Sequence, residues 1–333
     1  MLLMVSVQNL EEALEAEKGG ADVIDVKNLQ EALVGSGHPL VVKQVRSQIP
    51  ADKHVSVTLG VVPNQPGTVA MAVYAAASLN ATSVKVGFVQ TDYETAVNVL
   101  REARQALQGS DTKLIGSLFA DNTLCGGLDP HLMLPLAKDG QCDGFLLDTL
   151  TKDGRNLFDF IPETELRAMV FEGKQLGMST ALSGHLSLKD VDELARVNPD
   201  IVGVRGAVCA SGDRTRTVAW ESVAGFKQEL DRRKSGEVSI FEELAPILFH
   251  EIANGDNKGK AGAVVIDGRG KSCAGVIAAL TQQMKRDHHS FVEAVLADAL
   301  NIYDVIVWAE QAGHHLTMHR KEPDGTVRVL IQP

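Results

Sequence analysis

Short apolar runs rich in β-formers alternate with amphipathic stretches from the first residue of this 333-residue chain, and that alternation limits the fold more than any other feature. The pattern predicts strands over 2–7, 21–27, 54–60, 83–88, 113–120, 144–149, 178–183 and 201–206. Between the first two, residues 9–19 carry apolar side chains three and four apart, the period of a helix with one buried face. Gly19-Gly20 then stops that helix. Segments 68–80, 92–108, 163–176, 188–196 and 217–233 read the same way. Strands recurring at roughly 25–33 residues suit right-handed βαβ units. Eight such units over residues 1–235 predict a (β/α)8 barrel. The rival is an open doubly wound sheet, but no G-x-G-x-x-G follows the first strand to support dinucleotide binding. Gly60 and Gly87, isolated near strand ends, are expected to serve close packing or turns.

A polar break, Lys-Ser-Gly-Glu at 234–237, ends this pattern. Residues 238–333 read as a small α+β domain. Helices are predicted at 240–254, 272–286 and 289–300, strands at 261–268 and 302–308, and a terminal hairpin of 316–320 with 326–331 around Pro323-Asp324-Gly325. Its role is open between subunit assembly and a second activity. Apolar Phe241, Leu244, Ile247 and Leu248 on its first helix could dock on the barrel or on a neighbouring subunit, and the hairpin offers an edge. A homo-oligomer is therefore expected.

Three lysines stand at or just past predicted strand ends. Lys27 closes Gly-Gly-Ala-Asp-Val-Ile-Asp-Val-Lys, Lys85 lies in Ser-Val-Lys-Val-Gly, and Lys152 follows Gly-Phe-Leu-Leu-Asp-Thr-Leu-Thr. They come from the second, fourth and sixth predicted strands, and alternate strands of a barrel feed the same inward layers. Converging like charges disfavour the protonated amine, and a neutral amine is what attack on a carbonyl requires. Asp25 lies two residues before Lys27, on the same face of its strand. Asp148 and Lys152 flank the end of the sixth strand. The competing reading makes each lysine half of a structural ion pair with Asp25 or Asp148.

Barrels often bind phosphate on the loops after the seventh and eighth strands. Here those loops hold Ser183, Gly184, Arg205 and Gly206. Backbone N–H groups at these loops, with Arg205 if it points inward, would make an anion site; alternatively the glycines only permit tight turns. His185 is a possible substrate contact, with packing the commoner role. Asp121, Asn122 and Asp129 are candidates for the pocket rim. His288, His289, His314, His315 and His319 lack a metal-ligand spacing and read as surface or hairpin residues.

The bulk numbers exclude several classes. A formal net charge of −11 argues against broad nucleic-acid binding, though not against a local basic pocket. Four scattered cysteines, with no C-x-x-C pair, suit a reducing cytoplasm. The N-terminus lacks a basic leader, and no stretch is long and apolar enough to span a bilayer, so a membrane partner is not expected.

Four segments carry a resemblance to a known family. Gly-Gly-Ala-Asp-Val-Ile-Asp-Val-Lys-Asn (19–28), Val-Lys-Val-Gly (84–87), Leu-Asp-Thr-Leu-Thr-Lys-Asp-Gly-Arg-Asn-Leu-Phe-Asp-Phe (147–160) and Gly-Val-Arg-Gly-Ala-Val-Cys (203–209) are similar to the (5-formylfuran-3-yl)methyl phosphate synthase family of methanofuran biosynthesis. The resemblance spans residues 1–235 and is silent on 238–333. It implies a cytoplasmic barrel lyase that condenses two molecules of glyceraldehyde 3-phosphate into a furan aldehyde phosphate, losing phosphate and water. By the same likeness Lys27 would be the Schiff-base lysine and Lys85 the proton acceptor, with Asp25, Asp148 and Lys152 as further active-site residues. No metal or organic cofactor is called for, since an imine does the work of a Lewis acid. Two alternatives stay open: an ordinary class I aldolase on triose phosphates, and a non-catalytic phosphometabolite sensor with the terminal domain as its output.

Overall fold

A computed structural model of the protein describes residues 1–30, 35–151, 153–238, 263–287 and 290–333. Its first part is a closed barrel. The strands are β1 (Leu2–Val7), β2 (Val23–Asn28), β3 (Gly35–Ser36), β4 (His54–Val61), β5 (Ser83–Gly87), β6 (Lys113–Phe119), β7 (Gly144–Asp148), β8 (Ser179–Leu182) and β9 (Ile201–Val204). Eight of them run parallel, and β1 pairs with β9 to close the ring. The two-residue β3 is an antiparallel addition beside β2 and β4, which also pair directly. The helices are α1 (Leu10–Lys18), α2 (Pro39–Gln48), α3 (Pro66–Ser78), α4 (Tyr93–Ala106), α5 (Met133–Asp139), α6 (Glu163–Gln175), α7 (Val191–Val197) and α8 (Trp220–Lys234). The predicted strand–helix alternation is thus the observed one, with α2 and α5 added.

Two layers of core follow from the period of two along each strand. Outward residues such as Leu3, Val5, Ile24, Val84 and Phe145 pack under the helices. Inward ones form a separate apolar plug of Met4, Val23, Leu146 and Ala181, with Ile115 and Ile201 against it. Above the plug, towards the carboxyl ends of the strands, the inward positions turn polar: Ser6, Asp25, Lys27, Thr58, Lys85, Ser117 and Asp148 are all buried. This switch in residue character sets the depth of the site.

The terminal region forms a four-stranded sheet of β10 (Val264–Asp267), β11 (Val292–Leu296), β12 (His315–Lys321) and β13 (Val327–Gln332), ordered β10-β11-β13-β12, with α9 (Cys273–Arg286) and α10 (Asn301–Ala312). The predicted helix at 289–300 and strand at 302–308 are exchanged in the structure. Val292–Leu296 is hydrogen-bonded to strands on both sides, and its burial hides the alternation a half-exposed strand would show. Residues 302–308, Asp304 apart, are β-branched and aromatic, but they sit in a helix buried on several faces, where packing overrides propensity. The predicted first helix, with Phe241, Leu244, Ile247 and Leu248, lies outside the described residues, as do His288 and His289.

The sheet is tied to the barrel by a buried ion pair. Lys174 Nζ on α6 lies 3.0 Å from Asp304 Oδ2 on α10, and Asn198 Nδ2 donates to the same oxygen at 2.9 Å. The Asp304 carboxyl is also hydrogen-bonded by Cys273, and burial pushes its pKa up against the pull of Lys174. Removing one partner of such a pair leaves a buried charge uncompensated. Asp304→Ala is therefore expected to destabilise the protein by about 3–5 kcal/mol. A thermal melt unchanged from wild type would show that the pair does not hold the two parts together.

Candidate active site

Lys27 and Lys85 meet, as the strand count predicted, and Asp25 joins them. Lys85 Nζ lies 2.7 Å from Asp25 Oδ1, with both side chains almost wholly buried. Asp25 also accepts from Thr58 Oγ1 at 3.0 Å and from Ser6 Oγ at 3.3 Å. Burial alone would push the Asp25 carboxyl up. The charges of Lys85 and Lys27, with hydrogen bonds from Lys85 and Thr58, outweigh it and hold the group below its ordinary value. The ion-pair reading is therefore met for Lys85, inside the chamber that holds Lys27. Lys85 Nζ also lies 3.3 Å from Met4 Sδ, on top of the apolar plug.

Lys27, Asp25, Lys85 and Asp148 line one chamber with Ser6, Thr58 and Ser117. Gly60 and Gly87 shape its wall. A side chain on Gly87 would come within 3.1 Å of the Gly60 carbonyl, and Gly60 itself has φ +76° at a register shift in β4. Close approach requires the first glycine and backbone conformation the second.

Lys27, Asp148, Ser6 and Ser183 also line a wider cavity of about 260 Å³, which leads from the chamber to the surface between the loops after β8 and β9. Gly206 lies on it, while Gly184, between the lining residues Ser183 and His185, sets the course of the loop. Gly184 has φ +114°, and a Cβ there would meet Thr149 Cγ2 at 2.9 Å, so the loop after β8 can pass the loop after β7 only with glycine. His185 is exposed at this mouth instead of packed.

Arg205 needs correction as a phosphate ligand. Its five N–H donors all have acceptors: both carboxylate oxygens of Glu12 at 2.8 and 3.0 Å, and the carbonyls of Ser6, Arg214 and Arg216. The guanidinium clamps the loop after β9 to the start of α1 and has no donor left for an anion. Arg214 on that clamped loop lines the mouth as well. Burial lowers its pKa, and the field of Asp148 opposes the shift. The sequence places Arg205, Arg214 and Arg216 within twelve residues, with no periodic signal for which one faces inward.

Asp121, Asn122 and Asp129 shape loops and line neither space. Asp121 accepts from the backbone N–H of Leu150 and Thr151 at 2.7 Å each, holding the segment that leads to residue 152. Asn122 Nδ2 donates to the Leu128 carbonyl, and Asp129 caps the short helical turn at 130–132. Lys152 lies outside the described residues. Ser6, Thr58 and Arg214 are the additions to the predicted set. Ser6 and Thr58 were findable as polar residues on inward positions near strand ends. Among the described residues no group of three His, Cys, Asp or Glu could hold a metal ion, and no helix is long and apolar enough to cross a membrane.

Known proteins match this chain over the barrel. A family model described as 4-HFC-P synthase matches residues 3–227. The (5-formylfuran-3-yl)methyl phosphate synthase of Methanobrevibacter smithii is 41% identical over 235 residues, 69% of this chain and 99% of that protein. The protein of the same name from Methanopyrus kandleri is 41% identical over 217 residues, 64% of this chain and 92% of its own length. Among solved structures, 3-hexulose-6-phosphate synthase from Salmonella typhimurium superposes with a TM-score of 0.48 at 19% identity, covering 70% of this chain and 97% of that one. The barrel described above stands on its own strand pairing.

Proposed function

This chain belongs to the 4-HFC-P synthase family, and from that premise we propose that it is a Schiff-base lyase of methanofuran biosynthesis. It would condense two molecules of glyceraldehyde 3-phosphate into 4-(hydroxymethyl)-2-furancarboxaldehyde phosphate, with loss of phosphate and water. The observation that carries this reading is the burial of two lysines and two carboxylates in a single chamber at the carboxyl ends of the strands.

In this reading the Lys27 amine attacks the aldehyde of one triose phosphate and loses water to form an imine. Lys85, held by Asp25, takes the proton from the adjacent carbon. The resulting enamine electrons expel phosphate from the third carbon. A second triose adds in an aldol step, dehydration closes the ring, and hydrolysis of the imine frees Lys27. Asp148, which lines the same chamber as Lys27, would return protons to departing oxygens. Incubation with glyceraldehyde 3-phosphate and borohydride, followed by mass spectrometry, should place a reduced adduct on Lys27. Release of orthophosphate from the triose alone separates this chemistry from that of an ordinary class I aldolase.

The phosphate would sit at the mouth, against Ser183, Gly184 and Gly206, with Arg214 as the cation. A charge-assisted hydrogen bond contributes about 1.5–3 kcal/mol. Arg214→Ala is therefore expected to raise KM for glyceraldehyde 3-phosphate by about 10- to 100-fold and to leave adduct formation with unphosphorylated glyceraldehyde unchanged. An unaltered KM would remove Arg214 from the phosphate site.

A further inference from the structure

The barrel can be entered from below as well as from above. A cavity of about 440 Å³ opens at the amino-terminal ends of the strands, beside the exposed Lys113, Leu176 and Gly177, and runs up to Met4 and Lys85. Met4 and Lys85 also line the lysine chamber. The Lys85 side chain thus stands between two solvent-connected spaces.

Polar groups climb one side of the lower cavity. His54 Nε2 lies 2.8 Å from Ser83 Oγ. Ser83 pairs in register with Ser56 across β4 and β5, and one step higher Lys85 pairs with Thr58. Ser56 is 1% exposed, and its Oγ has no hydrogen-bond partner within the protein. Buried hydroxyls without a protein partner are commonly satisfied by ordered water. The facing positions, Val23, Ile115, Ala181 and Ile201, are apolar, so the polar column follows β4 and β5.

We propose that this lower cavity is a water-fed proton conduit, through which Lys85 exchanges protons with solvent by way of Ser56, Ser83 and His54. The inference rests on the reading of Lys85 as the group that takes protons from substrate. A triose seated in the upper mouth covers the chamber from that side while the chemistry moves several protons. In one passage the Lys85 ammonium gives a proton to a water held at Ser56. Ser83 accepts a proton from that water as its own hydroxyl proton passes to His54 Nε2, and the proton on Nδ1 leaves to bulk. Lys85 ends as the amine, and no other group changes charge. The relay uses a neutral imidazole. Burial, reinforced by Lys85 on β5 and Arg46 on α2 and opposed by Asp25 on β2, lowers the His54 pKa to about 4. Lys113 and Asp143 are the other charged groups on the cavity wall.

The test is steady-state kinetics of His54→Gln in the full chain. The relay predicts a kcat loss on the order of 10²-fold, an unchanged KM, a larger solvent deuterium isotope effect, and recovery with added imidazole. Ser83→Ala should lose kcat similarly, and the double variant should be no worse than His54→Gln alone. An unchanged kcat, or a loss that imidazole does not rescue, overturns the conduit. Borohydride trapping on the same proteins separates the layers. An adduct on Lys27 with full turnover in His54→Gln sinks the conduit alone. No adduct in the wild type sinks the Schiff-base reading and the conduit with it.

Discussion

Lys27→Arg is expected to abolish turnover and the borohydride-trapped adduct together. Arginine keeps the positive charge that helps hold Asp25 below its ordinary pKa, so the field in the chamber is largely preserved. What it loses is nucleophilicity, because a guanidinium stays protonated in proteins. Electrostatic and covalent roles of residue 27 are thereby separated. Lys27 is nearly buried, so the larger head group must be shown to fit, and an unchanged thermal melt does that. A folded Lys27→Arg protein with wild-type kcat would end the imine mechanism.

Lys85→Ala should lower kcat by roughly 10²-fold or more, the scale of a general acid–base group. The substitution also removes the 2.7 Å partner of a buried carboxylate, and such breakage costs about 3–5 kcal/mol. Stability and chemistry must therefore be read apart. Lys85→Ala with Asp25→Asn removes the stranded charge, so its melt should recover while kcat stays low. An effect confined to KM would reassign Lys85 to holding phosphate.

The barrel was legible because strand and helix periods differ and recur in strict alternation. Lys27 and Lys85 were legible because a lysine ending an apolar strand is costly without a purpose. Other parts carried no such mark. Helix α5 is seven residues long, so its buried stripe of Met133, Leu134, Leu136 and Ala137 is too short to establish a helical period. The two-residue β3 is too short to show a period and is defined only by its pairing with β2 and with Gly60 of β4. Arg205 and Arg214 could be told apart only by partners: Glu12 lies 193 residues from Arg205 in sequence, and no local pattern reports that pairing. The exchange of strand and helix around residue 300 has the same origin, since a buried strand and a helix buried on several faces both read as short, mostly apolar runs.

The pair between Lys174 and Asp304 spans 130 residues of chain, and this sets a timetable for the protein's birth. All eight parallel barrel strands and α8 have been made once residue 234 is added, whereas Asp304 comes 70 residues later. At about 5–20 residues per second, the ribosome leaves an interval of roughly 4–14 s. During it the barrel can close while the Lys174 ammonium on α6 still faces water. The terminal sheet then arrives on a finished surface and withdraws that charge from solvent. Cotranslational order thus lets the catalytic body take shape before its appendage exists.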